Sequence, residues 1–336
     1  MVEAISPKSL MHKEASETPD VIAAQQSENH GLCYSLTETL RNTPPRMIFM
    51  IGRGTSDHAG VFAKYLFETA CRIPVCAAAP SVAGVFNQQL DLRDSLAIVI
   101  SQSGKSPDIV KQAQAAKRGG AMTLALVNDT TSPLAQAVDY VLPLRANAEC
   151  AVAATKSYLA TLSALCQLAA YWTRDSALTD ALTLLPASLR NVQKSPAKLV
   201  SRDLHNIKHC VVLGRGFGYA IAREVALKLK EVLGIHAEAF SSAEFLHGPV
   251  TLAHNHLLVL DISIDDETLP SHKQQISDIV ERGAIVKDIS VDAVLHPRLH
   301  ALLIMQRFYL DIEAIAQANG IDPDSPKGLK KVTETL

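Results

Sequence analysis

The sequence predicts an α/β protein built from two duplicated domains, each a parallel sheet flanked by helices. The first observation is a series of short apolar runs separated by segments of helix length, because such runs are typical of strands buried on both faces. The second observation is a repeat, since MIFMIGRG at residues 47–54 returns as CVVLGRG at residues 210–216. The next two apolar runs follow at nearly the same distance in each half, which indicates duplication.

Composition and charge exclude several function classes. The chain has 336 residues, 48% of them hydrophobic, so it can bury a core large enough for two domains. A formal net charge of −2 without a long basic run argues against a nucleic-acid partner. No apolar stretch reaches the roughly 20 residues that span a bilayer. Residues 1–17 lack the apolar core of a signal peptide, so we expect a cytoplasmic protein with no membrane partner.

Metal and disulfide chemistry are not favoured. The cysteines form no CxxC pair, and in a chain of this size we expect them to be reduced. His247, His254 and His256 form the densest group of histidines, but they lack the helical spacing of a metal site. A metal there is a minor alternative, and no cofactor is predicted.

Residues 1–41 are expected to form an N-terminal helical segment that is frayed over its first ten residues. The first domain is expected to span residues 42–175, and a helical connector residues 176–200. Apolar runs predict strands in the first domain over residues 47–51, 73–78, 96–100, 123–127 and 140–144. Helices between most of these strands require right-handed crossovers and therefore a parallel sheet.

The second domain is expected to span residues 201–320, followed by a tail over residues 321–336. Its predicted strands over residues 210–213, 235–240 and 257–262 correspond to the first three strands of the first domain. Neither glycine turn completes the GxGxxG pattern of dinucleotide-binding folds, because Asp57 and Tyr219 stand where the third glycine belongs. A nicotinamide cofactor is therefore not favoured.

The loop SQSGKSPD at residues 101–108 carries the clearest binding chemistry of the first half. Ser106 is placed to cap the following helix, with Pro107 as its first residue. The exposed helix N-terminus, three serine hydroxyls and close backbone approach at Gly104 would hold a phosphate monoester, and Lys105 could add charge. The alternative is a capped loop without a ligand.

Thr55 and Ser56 follow the first strand and are expected to face the same crevice as this loop. The alternative for both is simple capping of the helix that they begin.

Glu224, Lys228 and Glu231 recur at helical spacing and share one side of a helix. Gly234 ends that helix, and a short strand then leads to a loop that presents His247. A carboxylate, an ammonium and an imidazole in one unit could form a proton-transfer site. Taken alone, however, the pattern is more often a solvated helix face.

The motifs GRGTS, SQSGKSPD, CAVAATKSY, EVALKLKE, IHAEAFSSAEFLHGP and PKGLKKVT, in this order, resemble the tandem sugar isomerase (SIS) domains of glucosamine-6-phosphate synthase. The resemblance implies a flavodoxin-like three-layer sandwich for each domain. Only about forty residues precede the first domain, so we expect no glutaminase domain. The pattern resembles freestanding glucosamine-6-phosphate deaminases of the second type, which form fructose 6-phosphate and ammonia in amino sugar catabolism.

The resemblance also implies which residues bind the substrate. It places the phosphate and the sugar chain on one set of residues: Gly54, Thr55, Ser56, Ser101, Gln102, Ser103, Ser106, Val152, Ala154 and Lys228. Ala154 stands where the synthase has serine, so only a backbone contact is carried over there. The synthase has glutamate at the position of Lys105, and the role of that position stays open.

Catalytic roles are implied in the same way. Glu231 matches the carboxylate that moves a proton between C2 and C1, and His247 matches the imidazole that opens the ring. Lys331 matches a lysine that forms a Schiff base with fructose 6-phosphate, and Glu224 matches a supporting residue. The resemblance further implies a homodimer with shared sites, in which His247 enters the partner's site. A fructosamine-6-phosphate deglycase, an aldose-ketose isomerase and a non-enzymatic sugar-phosphate-binding module remain alternatives.

Overall fold

The structure is a computed structural model that describes residues 8–326 and 328–331. Helices and strands alternate through the first half of the chain. Its elements are α1 (Leu10–Asn42), β1 (Met47–Ile51), α2 (Thr55–Ala70), β2 (Val75–Ala77), α3 (Pro80–Gly84), β3 (Ser95–Ser101), α4 (Pro107–Arg118), β4 (Met122–Val127), α5 (Pro133–Ala137), β5 (Tyr140–Pro143), α6 (Lys156–Thr173) and α7 (Ser176–Lys194).

The second half repeats the alternation, with short 3₁₀ turns at Ser201–Leu204 and Pro249–Asn255. Its elements are β6 (His209–Gly214), α8 (Phe217–Leu233), β7 (His236–Ser241), α9 (Ser242–Phe245), β8 (Leu258–Ile262), α10 (Leu269–Glu281), β9 (Ile285–Asp288) and α11 (Pro297–Ala318).

Parallel strands form two sheets, one in each half. The first sheet has the order β2-β1-β3-β4-β5 and the second the order β7-β6-β8-β9. The chain adds β2 to one side of β1 and then crosses back to pair β3 with the other side, so the strand order reverses between β1 and β3. Ligand crevices open at the carboxyl ends of strands at such a reversal. The matching reversal in the second sheet lies between β6 and β8.

The predicted fold class is confirmed, and the predicted strands are present with their ends shifted by one or two residues. The edge strand β2 is shorter than predicted because Pro74 directly precedes it and Arg72 has a φ of 58°. Strand β9 is an addition to the prediction. It has no continuous apolar run, since it includes Lys287 and Asp288 and lies partly exposed at the sheet edge. Residues 1–7 of the predicted helical segment and 332–336 of the predicted tail lie outside the described residues.

Helix α8 of the second half packs against α2 of the first, and this contact positions the candidate site. Phe62 of α2 meets Phe217 of α8 with ring centroids 5.1 Å apart. Gly214 lets α8 approach the end of β6, because a Cβ there would lie 2.3 Å from the backbone carbon of Gly218. One apolar cluster runs through α2, α8 and one face of each sheet, so the two halves share a core.

Candidate active site

A cavity of about 370 Å³ opens at the carboxyl ends of β1 and β3, where the strand order reverses. Residues from both halves and from the C-terminal segment line it. They are Arg53, Gly54, Thr55, Ser56, Ile100, Ser101, Gln102, Ser103, Ser106, Asp108, Ile109, Val152, Ala154, Lys228, Glu231, Leu329, Lys330 and Lys331. The structure therefore brings the expected phosphate loop, the expected proton-transfer helix and the expected lysine to one cavity.

The loop between β3 and α4 leaves its hydroxyl groups available to a ligand. Ser106 occupies the N-cap position as predicted, but its side chain makes no capping hydrogen bond. Ser101 Oγ accepts a hydrogen bond from the Gly104 N–H at 3.1 Å, so its own hydroxyl hydrogen remains free to donate. Gly104 has a φ of +64°, and a Cβ at this position would lie 2.2 Å from Ser132 Oγ. Only glycine fits this turn.

Lys105 lies away from the cavity, which corrects the expectation that it adds charge there. Its Nζ is 3.4 Å from Asp129 Oδ2, and it is not among the residues that line the cavity. The arginine of the preceding glycine turn lines the cavity instead, with Arg53 Nε donating to Asp108 Oδ2 at 3.0 Å.

Glu224 and Lys228 form a fully buried ion pair beneath the cavity. Lys228 Nζ lies 3.2 Å from Glu224 Oε1 and 2.5 Å from Glu231 Oε2. The side chains of Glu224 and Lys228 are 0% and 1% exposed, whereas Glu231 is 21% exposed and lines the cavity. The interpretation of this helix face as solvated is therefore wrong.

The first half completes the environment of Glu224. His58 Nδ1 lies 2.8 Å from Glu224 Oε2, and Thr55 Oγ1 donates to Oε1 at 3.2 Å. Tyr309 of α11 donates to the same oxygen at 3.3 Å. Thr55 thus bonds across the interface between the halves and does not simply cap α2, since Gly54 is the N-cap residue and no side chain caps it.

The charges of this cluster reinforce one another. Burial opposes ionisation of Glu224, but Lys228 and His58 outweigh it and hold the pKa of Glu224 at about 2. Burial also opposes the charge of Lys228, yet Glu224 and Glu231 raise its pKa above the ordinary value. Lys228 therefore stays an ammonium at neutral pH, and it donates a hydrogen bond to the Glu231 carboxylate at the cavity wall.

Lys331 reaches the cavity because the C-terminal segment is bonded to the first half. The Val152 N–H donates to the Asp324 carbonyl at 3.0 Å. Lys331 Nζ donates to the Ala151 carbonyl at 2.7 Å and to Glu149 Oε2 at 3.1 Å. Burial opposes the charge of Glu149, but Lys331 and the donors of Thr155 and Ser157 lower its pKa.

His247 is exposed and does not line the cavity of its own chain. It lies just after α9, whose first residue is held by a buried network. His272 Nδ1 lies 2.8 Å from Ser242 Oγ, and His272 Nε2 lies 2.7 Å from Asp261 Oδ1. This network fixes the base of the His247 loop on α10 and β8, and the loop itself projects into solvent.

Arg53, His58, Asp108, Glu149 and Tyr309 are site residues that the sequence reasoning missed. Arg53 and Asp108 lay inside recognised motifs, and their position beside a predicted phosphate loop was a usable signal. The other three are distant in sequence from their partners, and no spacing pattern marks them.

The described residues contain no group of three or more histidine, cysteine, aspartate or glutamate side chains placed to hold a metal ion. Within the same residues, no helix has the length and apolar character needed to cross a membrane.

Comparisons with known proteins agree with the two-domain fold. Residues 43–171 and 203–294 match the family model described as SIS domain. The glutamine–fructose-6-phosphate aminotransferase (isomerizing) of Thermus thermophilus is 34% identical over 312 residues, which cover 84% of this chain and 51% of that protein. The protein of the same name from Thermotoga maritima is 30% identical over 356 residues, covering 96% and 58%. The chain thus spans about half the length of the curated relatives it matches.

Solved structures extend the likeness over most of the chain. A crystal structure from Silicibacter pomeroyi, provisionally named a phosphosugar isomerase, has a TM-score of 0.87 and 34% identity, and the match covers 94% of this chain and all (100%) of that one. The glucosamine-6-phosphate deaminase of Thermotoga maritima has a TM-score of 0.77, with coverage of 97% and 100%. The sequence identity to this deaminase is 22%, so the likeness shows only that the two chains share a fold.

Glu224→Gln is expected to lower the free energy of unfolding by about 3 to 5 kcal/mol at neutral pH, because it removes one partner of a buried ion pair. The folded-state pKa of Glu224, about 2, lies below its ordinary value of 4.5. Its stabilising effect is therefore complete above pH 4.5 and is lost as the pH falls towards 2. Urea denaturation of wild type and variant between about pH 7 and pH 3 should show a difference that shrinks below about pH 4.5.

Glu238→Gln is the matched control, since Glu238 is an exposed strand residue. Its effect should stay within about 0.5 kcal/mol. A Glu224→Gln effect as small as that of the control, or one that does not change with pH, would contradict the charged buried pair.

Proposed function

We propose that this chain, which belongs to the SIS domain family, converts glucosamine 6-phosphate to fructose 6-phosphate and ammonia. The observation that carries the proposal is the position of Glu231, which lines the same cavity as the serine loop and is bonded to the buried Lys228. A carboxylate supported in this way can move a proton on a substrate whose phosphate is held by the serine loop of the same cavity.

The serine loop is suited to the phosphate group. Three hydroxyls and the N-terminus of α4 supply donors to an anion, and Ser101 and Ser103 only accept backbone N–H bonds, so their own hydroxyl hydrogens are free to donate. The phosphate fixes one end of the sugar, so that C1 and C2 of the open chain can reach Glu231 in the same cavity.

Proton transfer is the step assigned to Glu231. Opening of the ring exposes the C1 aldehyde, which acidifies the proton on C2. Glu231 removes that proton to give an enolamine and then returns a proton to C1, so that the carbon–nitrogen bond at C2 becomes an imine. Water adds to the imine carbon, the carbon–nitrogen bond breaks, and ammonia leaves with fructose 6-phosphate as the ketone.

Lys331 is assigned a binding role in the forward direction. Its Nζ is held by Glu149 and the Ala151 carbonyl at the cavity wall, where an ammonium can attract the oxygens of the open-chain sugar. Deamination requires no Schiff base in this direction, and the same amine could capture the ketose on the return path.

Deamination is favoured over simple isomerisation by the resemblance of the overall pattern to freestanding deaminases, whereas the six motifs themselves resemble the SIS domains of the synthase. The deaminase of Thermotoga maritima, as named, also has this fold. A pure aldose-ketose isomerase and a fructosamine-6-phosphate deglycase would use the same phosphate loop, and substrate and product analysis separates them.

Ring opening is assigned to His247 of a second subunit. The loop that carries His247 projects from its own domain, and the cavity of the same chain lacks this imidazole. In a two-fold homodimer each loop would complete the site of the other chain, which makes two equivalent sites.

Purified protein supplied with glucosamine 6-phosphate is expected to form fructose 6-phosphate and ammonia in equal amounts. No metal ion or nicotinamide should be required, because proton transfer and hydrolysis need only the side chains named above. A coupled assay for the ketose, run together with an ammonia assay, measures both products. Ketose without ammonia would identify an isomerase, and turnover of fructosamine 6-phosphate alone would identify a deglycase.

Glu231→Gln is the control for this assay, because glutamine can still accept the hydrogen bond of Lys228. It should retain substrate binding and lose roughly 100-fold or more in kcat, the usual contribution of a positioned general base. Ser103→Ala should instead raise KM for the phosphorylated sugar. Near-normal kcat in Glu231→Gln would overturn the assignment of the base.

Chains carrying His247→Ala and chains carrying Glu231→Gln are expected to complement each other. Each homodimer should be inactive, whereas the heterodimer should contain one intact site, formed by Glu231 of one chain and His247 of the other. Co-expression with two affinity tags isolates the heterodimer, and part of the wild-type rate should return. If each chain supplies its own imidazole, every site carries a lesion and no activity is recovered.

A further inference from the structure

The phosphate loop has an unexpected charge arrangement. A phosphate monoester carries close to two negative charges at neutral pH, and cationic side chains commonly compensate them. The lysine within this loop does not face the cavity, because Lys105 is paired with Asp129 and its side chain is 60% exposed. Other cations line the cavity, and of these Lys228 is paired with Glu224 and Glu231 and Lys331 with Glu149, whereas Arg53 is bonded to the first turn of the helix that follows the loop.

Arg53 has the position and the free donors that this role requires. It lies in the glycine turn after β1 and lines the cavity beside the serine loop. Its side chain is 51% exposed, and Nε is bonded to Asp108, which is 7% exposed. The two Nη groups make no hydrogen bond to any described residue, so the outer edge of the guanidinium remains available for a ligand.

Asp108 makes the arginine necessary as well as available. Its carboxylate lies in the first turn of α4 and lines the same cavity, where it would repel a phosphate if it were unpaired. When Asp108 is paired with Arg53, its carboxylate orients the guanidinium. The bond to Nε fixes the plane of that group and leaves both Nη groups without a bond to Asp108. A guanidinium fork matches the geometry of phosphate oxygens.

We propose that Arg53, oriented by Asp108, is a phosphate-binding residue of this cavity and supplies the charge that Lys105 does not. The proposal rests on the proposed function in one respect, the assumption that the cavity takes a phosphorylated ligand. The reaction that follows binding does not enter into it.

Binding of inorganic phosphate by isothermal titration calorimetry tests the proposal without any turnover. Arg53→Met should bind phosphate roughly 10- to 100-fold more weakly, which corresponds to the loss of a charge-assisted hydrogen bond. With glucosamine 6-phosphate as substrate, the same variant should raise KM by a similar factor and largely retain kcat. Arg53 is half exposed, so the variant should fold, and circular dichroism checks that it does.

Lys105→Met is the matched control, since it removes one positive charge from the same loop without touching the cavity. It should bind phosphate within about twofold of wild type, because an exposed, screened charge contributes little.

Asp108→Asn gives a second test, in which phosphate affinity should rise relative to Arg53→Met alone. Added to Arg53→Met, it should restore part of the lost phosphate affinity, because the unpaired carboxylate is gone.

The outcomes separate the alternatives. Wild-type affinity in Arg53→Met, or an equal loss in Lys105→Met, would overturn the proposal. A fall in kcat at unchanged KM would place Arg53 in the chemistry and not in phosphate binding, which also overturns it. If wild type binds phosphate as described but glucosamine 6-phosphate is not converted, the proposed function fails and the role of Arg53 stands.

Discussion

The buried pair of Glu224 and Lys228 is the interaction on which the site depends. Removing two charges from water costs several kcal/mol for each ion, and a buried pair persists only where further hydrogen bonds satisfy it. Here those bonds come from both halves of the chain, since Thr55 and His58 lie on α2 and Tyr309 lies on α11. The pair therefore requires α2 and α8 to meet, and the cavity lies directly above that contact. Lys228 also bonds to Glu231, so the contact between the two halves and the position of the proposed catalytic carboxylate depend on the same lysine.

The duplication has produced two crevices with different chemistry. In the first half, the loop after β3 offers serine hydroxyls to an anion. In the second half, the loop after β8 contains Asp265, Asp266 and Glu267, and Arg298 is bonded to Glu267 at 2.8 Å. An acidic loop of this kind disfavours phosphate. The second half contributes its helix α8 to the site in the first half, and the apolar core that the two halves share holds this helix in place.

The sequence could predict most of the fold and part of the site. Continuous apolar runs marked the buried strands, and the parallel arrangement followed from the helices between them, whereas the strand order was not predicted. Helical spacing placed Glu224, Lys228 and Glu231 on one side, but spacing does not say whether that side meets water or another helix. Lys105 pairs with Asp129, and Arg53 pairs with Asp108. Both pairs form only in the folded chain, so the sequence alone does not show that Arg53, and not Lys105, lines the cavity. Glu149 was not predicted as a site residue because its partner, Lys331, is 182 residues away in the sequence.

Proton transfer by Glu231 is tested most directly by turnover of glucosamine 6-phosphate in D₂O, with the product examined by NMR. Glu231 is 21% exposed at an open cavity, so a proton held on its carboxylate exchanges with solvent. Fructose 6-phosphate formed by the wild type should carry deuterium at one of its two C1 positions, because one base delivers the proton to one face of the enolamine. Glu231→Gln should form this deuterated product roughly 100-fold or more slowly, and its formation by the variant at the wild-type rate would contradict the role of Glu231.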